Sequence, residues 1–194
     1  MLDVGCTSHQ VEVDSPFWLH GRLRSRFEVT GLDISEENIE QLLNRGFERL
    51  YAASAEEFSL RDRFDTIVAG ELIEHLSNPG RFLWCAREHL QRDGRLVLTT
   101  PYVFSLMYAC YAFFHFPKTC GNQQHACWFC LRRLRELAER AGFQVIHEDL
   151  IEDYRPDDPF PLYREFVLFI RTLGRLLPAR LRKNAMLLVL APGN

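Results

Sequence analysis

Five short apolar segments, separated by turn signals within the first hundred residues, constrain the fold of this chain more than any other feature. They are residues 1–4, 29–34, 48–52, 64–69 and 95–100. All but 48–52, which reads ERLYA, are rich in Val, Ile, Leu or Thr, and all are too short for a buried helix, which is how strands of a parallel sheet read. Between the second and third, Ser35 is placed to cap a helix. Glu36 and Glu37 complement its dipole, Ile39, Leu42 and Leu43 form its inner stripe, and Gly46 ends it. Between the fourth and fifth, Asn78-Pro79 opens a helix that buries Phe82, Leu83, Ala86 and Leu90 and stops at Asp93-Gly94. Strand and helix in alternation predict a doubly wound, mostly parallel α/β sheet.

The fourth segment carries the chemistry. Residues 64–76 read FDTIVAGELIEHL, so a buried strand stops at Gly70 and delivers Glu71, Glu74 and His75 to its carboxyl end. In open α/β sheets that is the edge where ligands bind.

The rest of the chain is less regular. Residues 102–124 are a long aromatic segment, and residues 130–141 predict an amphipathic helix with Leu131, Leu134, Leu137, Ala138 and Ala141 inward and Gly142 as its stop. Residues 143–150 and 185–191 read as two further strands. Between them Leu162, Phe166, Phe169, Ile170, Leu173, Leu176 and Leu177 recur at helical spacing.

A chain of 194 residues, 47% of them hydrophobic, can bury a sizeable core, and a net charge of -3 argues against nucleic acid as the main partner. The charge is uneven, since residues 164–183 hold five arginines and one lysine against the single acid Glu165. No stretch reaches the roughly 18 to 20 apolar residues that span a bilayer. With no signal peptide read at the start, the six cysteines predict reduced thiols and a cytoplasmic location. Cys120, His125, Cys127 and Cys130 lie close together, but their spacing matches no common zinc module, so no metal is expected.

Several segments, taken in order, resemble the motifs of class I S-adenosylmethionine-dependent methyltransferases. They are Asp3-Val4-Gly5-Cys6, VTGLDIS at 29–35, Ser54-Ala55-Glu56, FDTIVAGELIEHLSNPG, DGRLVLTTPY, and HACWF with LRELAERAGF. The narrower similarity is to small-molecule enzymes often associated with glycan or lipid assembly. The resemblance implies a seven-stranded Rossmann-like sheet with an antiparallel last strand, in one domain over 1–194, with a substrate cap at 102–129 and a helical insertion at 152–184. It implies S-adenosyl-L-methionine as cofactor, lined by Asp3, Gly5, Cys6, Asp33, Ile34, Ser54, Ala55, Glu56, Gly70 and Glu71. Asp33 would accept the two ribose hydroxyls, a reading that its place at a strand end in a βαβ unit supports independently. Should the acceptor be a hydroxyl, His125 is the first candidate for the base, followed by His75 and Glu71.

The chain also departs from the family pattern. The family's loop reads Asp-x-Gly-x-Gly-x-Gly, and here Thr7 and His9 take the second and third glycine positions. Residues 8–21, with Trp18 and His20, lengthen the first crossover and either reshape the cofactor mouth or cover the sheet edge. No residues precede 1–4 to lengthen the first strand, so either the product starts late or the pocket is more open than usual. These departures keep a second reading alive, a methyltransferase-like module that binds or assembles without turnover. A nicotinamide enzyme is disfavoured, because no Gly-x-Gly-x-x-Gly follows the first strand. The aromatic segment and the basic, apolar stretch at 162–183 suggest an amphiphilic acceptor and peripheral contact with a membrane surface.

Overall fold

The computed structural model describes residues 1–7, 13, 15–113, 124–153, 163–174, 176 and 178–193. His9, Cys120, Leu162 and Leu177 lie outside that set.

Seven strands form one sheet: β1 (Leu2–Val4), β2 (Thr30–Asp33), β3 (Leu50–Ala52), β4 (Phe64–Gly70), β5 (Leu90–Pro101), β6 (Phe143–Ile151) and β7 (Ala185–Pro192). Their spatial order is β3-β2-β1-β4-β5-β7-β6. The first five run parallel, while β7 is antiparallel to both neighbours, pairing Leu98 with Leu188 on one side and Val145 with Leu190 on the other. This is the expected α/β architecture with its antiparallel last strand in sequence order. The order reverses between β1 and β4, and a crevice at the carboxyl ends of strands is expected at such a reversal.

Local chemistry explains the helices that support this sheet. In α2 (Glu36–Asn44) the Ser35 hydroxyl accepts the Asn38 N–H at 3.2 Å, with Glu36 and Glu37 in the first turn. Gly46 adopts φ +82°, the left-handed conformation that lets the chain leave the helix. Ile39 and Leu42 are buried, but Leu43 is 46% exposed. One residue turns the helix by about 100°, and the contact line with Trp18 and Leu50 follows Ile39 and Leu42.

In α3 (Pro79–His89) the Asn78 side chain accepts the Arg81 N–H at 3.1 Å, and Phe82, Leu83, Cys85 and Ala86 face the core. The helix ends at His89 rather than at Gly94, because Leu90 already pairs with Phe64 and the register then shifts before Thr66 meets Arg95. Gly94 serves that irregularity, since a β-carbon there would sit 3.0 Å from the carbonyl oxygens of Gln91 and Phe64.

Among the described residues three α-helices were not read from sequence, α1 (Leu19–Arg24) in the first crossover, α4 (Leu106–Phe113) in the aromatic segment and the short α7 (Ala179–Arg182) before the last strand. α5 (Leu131–Arg140) buries Leu134 and Ala138, and Gly142 follows it at φ +82°. α6 (Tyr163–Gly174) and α7 lead into β7. The main core lies on the face of the sheet covered by α3 and α5, where Phe82, Leu83, Ile67, Leu96, Leu134 and Leu188 are fully enclosed. A smaller cluster on the other face joins Cys6, Trp18, Ile39, Leu42 and Leu50.

Candidate cofactor and acceptor site

The chain leaves β1 through Gly5 at φ +82°, whose N–H donates to the Leu32 carbonyl at 2.8 Å, as the Cys6 N–H does at 3.2 Å. The turn brings the fully buried Thr7 beneath the end of β2. There the Thr7 N–H donates to Asp33 Oδ2 and the Ser35 N–H to Asp33 Oδ1, both at 3.0 Å. Thr7 Oγ1 accepts from Asn38 Nδ2 at 3.3 Å, so the side chain standing in for glycine is directed toward α2. Asp33 is thus held at a strand end with one N–H on each carboxylate oxygen. A carboxylate has about four lone-pair sites, which leaves acceptor capacity for a vicinal diol. Beside it Ile34 is 74% exposed, an apolar surface suited to a purine.

Asp3 lies deeper. It is almost fully buried and its Oδ2 lies 3.0 Å from Nδ1 of His20, itself buried on α1. Burial holds the Asp3 carboxyl above the usual carboxylate range, against the opposing hydrogen bond and charge of His20. Burial also pushes the Cys6 thiol far up, with Asp3 and Asp33 adding to the effect, so Cys6 packs as an apolar side chain and is no nucleophile. A raised native pKa means that the unfolded chain gives up the Asp3 proton first as pH rises past its ordinary value of 3.8. Asp3 therefore costs stability progressively above that pH, up to its native pKa. Asp3→Asn is expected to match the wild type in thermal unfolding at acid pH and to gain on it as pH rises toward neutrality. A difference that shrinks with pH contradicts this account.

The other expected residues divide. Gly70 ends β4 against Leu19 of α1, and a β-carbon there would lie 3.1 Å from Leu19 Cδ2. Glu71 has φ +49°, and its N–H is shared by the Thr99 carbonyl at 3.1 Å and hydroxyl at 3.2 Å, so the chain turns sharply as it leaves the strand. Ser54 Oγ accepts the Glu56 N–H at 3.2 Å, and Ala55 is buried. The Glu56 carboxylate accepts the Asn78 N–H at 3.0 Å, which ties it to the start of α3 rather than to the Asp33 cluster.

Four residues past Gly70 a second cluster forms. A 3₁₀ turn, Ile73–His75, sends Glu74 into the interior, where Thr100 Oγ1 donates to its Oε2 at 2.9 Å. Its Oε1 lies 4.0 Å from His125 Nε2. The Glu74 carbonyl accepts the N–H groups of Ala126 and Cys127, at 2.8 and 3.1 Å, fastening the segment that carries His125. The rings of His75 and His125 meet edge to face at 4.7 Å, Trp128 packs on His125 at 4.8 Å, and Tyr108 packs on Trp128 at 5.4 Å.

The structure thus brings His125 and His75 together with Glu74, while Glu71 follows β4 directly with its N–H on Thr99. In the sequence Glu74 lies just past this strand end, and no local signal there assigns it a role. The donor atoms of Glu74, His75 and His125 all lie within 4.8 Å of one another, close enough to surround a divalent cation. Cys127 instead directs its thiol at the carbonyls of Ile73 and Glu74, 3.7 Å from each.

Comparison with known proteins agrees with this fold. The family model for the methyltransferase domain matches residues 1–148. The chain is 27% identical over 177 residues to the ubiquinone biosynthesis O-methyltransferase of Coxiella burnetii, covering 85% of this chain and 72% of that protein. Among solved structures it superposes on a SAM-dependent methyltransferase from Archaeoglobus fulgidus with TM-score 0.65 at 18% identity, covering 97% of this chain and 84% of that one. It also superposes on the glycopeptide N-methyltransferase MtfA complexed with S-adenosyl-L-homocysteine, with TM-score 0.61 at 14% identity, covering 98% and 80%. A strand-end carboxylate with acceptor capacity to spare, a glycine turn below it and an exposed apolar neighbour suit S-adenosyl-L-methionine, and the chain belongs to the methyltransferase domain family as an S-adenosylmethionine-dependent enzyme of the class I fold.

Proposed function

We propose that the enzyme methylates a hydroxyl oxygen of a small, amphiphilic acceptor, with Asp33 holding the cofactor's ribose and His125 serving as base. When bound, S-adenosyl-L-methionine supplies an electrophilic methyl group on a good leaving group, so the protein contributes mainly alignment and removal of a proton. The observation that carries this reading is the enclosed pair of His125 and Glu74. A histidine beside a buried carboxylate can take a hydroxyl proton near neutral pH while the carboxylate balances the imidazolium charge. Tyr108 and Trp128 give that corner an aromatic wall, which favours an acceptor with an apolar or aromatic body. The Coxiella relative is named an O-methyltransferase, which agrees with an oxygen acceptor.

The test is transfer of labelled methyl from S-adenosyl-L-methionine to a panel of phenols, alcohols and amines, with and without apolar tails. His125→Gln is expected to lower kcat on the preferred hydroxyl acceptor by roughly 10²- to 10⁴-fold and to leave affinity for S-adenosyl-L-homocysteine unchanged. Transfer to amines alone, or undiminished turnover by the variant, contradicts the reading.

Among the described residues no helix is long and apolar enough to cross a membrane. On α6, however, Leu168 and Phe169 are exposed, with Leu176 exposed just beyond, and Arg171, Arg180, Arg182 and Lys183 belong to the same stretch, of which Arg171 and Arg182 pair with Glu152 and Lys183 with Asp149. That composition supports peripheral contact with an anionic surface. The protein is expected to co-sediment with vesicles containing anionic lipid at low salt and to be released by added salt. Failure to co-sediment at low salt removes membrane contact from the proposal.

A further inference from the structure

Trp18 lies in the lengthened first crossover and is buried in the smaller core cluster. Its indole N–H donates to the Cys6 carbonyl at 2.7 Å. The Cys6 carbonyl and the Thr7 N–H belong to one peptide group, and that N–H donates to Asp33 Oδ2 at 3.0 Å. One peptide plane is therefore gripped at both ends, by an indole on one side and by the strand-end carboxylate on the other. We propose that Trp18 is a positioning residue for the cofactor, orienting the Asp33 carboxylate through the peptide that joins Cys6 to Thr7.

Three observations make this more than packing. In a trans peptide the C=O and N–H point in opposite directions, so fixing the carbonyl fixes the direction of the N–H, and with it the direction from which Asp33 is held. Donation to a carbonyl also polarises the peptide and strengthens its N–H as a donor, as expected for hydrogen bonds in series. Finally, the loop lacks glycine at position 7, so its route past the ligand must be held by contacts. Thr7 is completely buried with its hydroxyl committed to Asn38, and Gly5 and Cys6 both donate to Leu32.

His20 supports the same arrangement. Its ring lies 5.5 Å from the Trp18 ring, it meets Asp3 on β1, and it crosses β2 at Gly31, where a β-carbon would lie 2.9 Å from His20 Cε1 and 2.8 Å from Cys6 Sγ. The lengthened crossover thus returns through Trp18 and His20 to brace the loop it leaves from.

The inference rests on the reading of Asp33 as the ribose ligand, and a double-mutant cycle separates the two. Trp18→Phe keeps an aromatic ring and removes the N–H donor, while Asp33→Asn weakens the acceptor. Calorimetric titration with S-adenosyl-L-homocysteine is expected to show up to about tenfold weaker binding for Trp18→Phe, the order of one neutral hydrogen bond. In the Asp33→Asn background the same change is expected to have little further effect. The acceptor KM of Trp18→Phe should stay at the wild-type value.

A Trp18→Phe protein that melts at a lower temperature but binds the ligand within twofold of wild type assigns Trp18 to packing alone and overturns the proposal. Equal losses in both backgrounds overturn it as well, because Trp18 then acts independently of Asp33. Unchanged affinity in Asp33→Asn removes the ribose role of Asp33, and the proposal with it. Should Trp18→Phe fail to fold, benzothienylalanine at position 18, which replaces the N–H by sulfur with the ring shape kept, carries the same cycle.

Discussion

Asp33→Ala is expected to weaken binding of S-adenosyl-L-homocysteine by at least about 100-fold. Hydrogen bonds to a charged group contribute about 1.5 to 3 kcal/mol each. A carboxylate that accepts both hydroxyls of a ribose therefore accounts for roughly two powers of ten or more, at about 1.4 kcal/mol for each tenfold. The substitution has a second cost, since the N–H groups of Thr7 and Ser35 both lose their acceptor. The loop after β1 is expected to loosen with it, so the variant should also melt at a lower temperature. Asp33→Asn separates the contributions, because its side-chain oxygen can still accept one of those N–H groups while the charge is gone. Its affinity should fall between those of wild type and alanine. An alanine variant that is folded and binds within threefold of wild type would remove Asp33 from the cofactor site.

Phe82→Ala is expected to cost about 3 to 5 kcal/mol of stability. Phe82 is 0% exposed and packs from α3 into the main core. The loss combines removal of apolar area from a buried position with the cavity left behind, and α3 cannot slide inward to fill it. Its N-terminus is fixed by the Asn78 cap and by the Glu56 carboxylate on the Asn78 N–H, and its C-terminus continues directly into β5. For a chain of this size each kcal/mol shifts the melting temperature by about 2 to 4 °C, so a fall of roughly 10 °C is expected. Trp84→Ala on the same helix is the control. Trp84 is 52% exposed, and its loss should cost within about 0.5 kcal/mol. Comparable losses for the two would mean that α3 does not present the face described.

The fold was legible where local chemistry and hydrophobic pattern agree. Ser35, Asn78 with Pro79, and Gly142 announce helix ends by mechanisms that act within a few residues, and the structure uses each of them. The buried strands stood out because both of their faces are covered. What sequence could not show depends on contacts between distant residues. Gly94 looks like a helix stop, yet it serves the irregular pairing of β4 with β5. The six-residue α1 has no periodic stripe to read and contains Gly21, where a β-carbon would lie 2.6 Å from the Trp18 ring.

The site shows the same division. Asp33 could be read from its place at a strand end. His125 could be set near His75 only through the family resemblance, since fifty residues separate them in the chain. Glu56 is expected near the adenine from the resemblance, and its carboxylate accepts an N–H at the start of α3 that no local pattern reveals. Glu74 was visible as a charge in an apolar run. Its role depends on a 3₁₀ turn rather than a longer helix, because that turn directs the carboxylate inward to Thr100. Trp18 and His20 stand out in the sequence as part of a lengthened crossover that either reshapes the cofactor mouth or covers the sheet edge. Their hydrogen bonds to Cys6 and Asp3 tie the crossover back to the loop after β1 and to β1 itself.

The account turns on where the cofactor lies, and a crystal structure of the protein grown with S-adenosyl-L-homocysteine tests this most directly. The predicted result has the ribose hydroxyls on the Asp33 carboxylate, the purine against Ile34, and the sulfur facing Gly70 and Glu71, with the indole of Trp18 still on the Cys6 carbonyl. Ligand bound elsewhere, or an Asp33 side chain turned from the ribose with Thr7 filling its place, would contradict it.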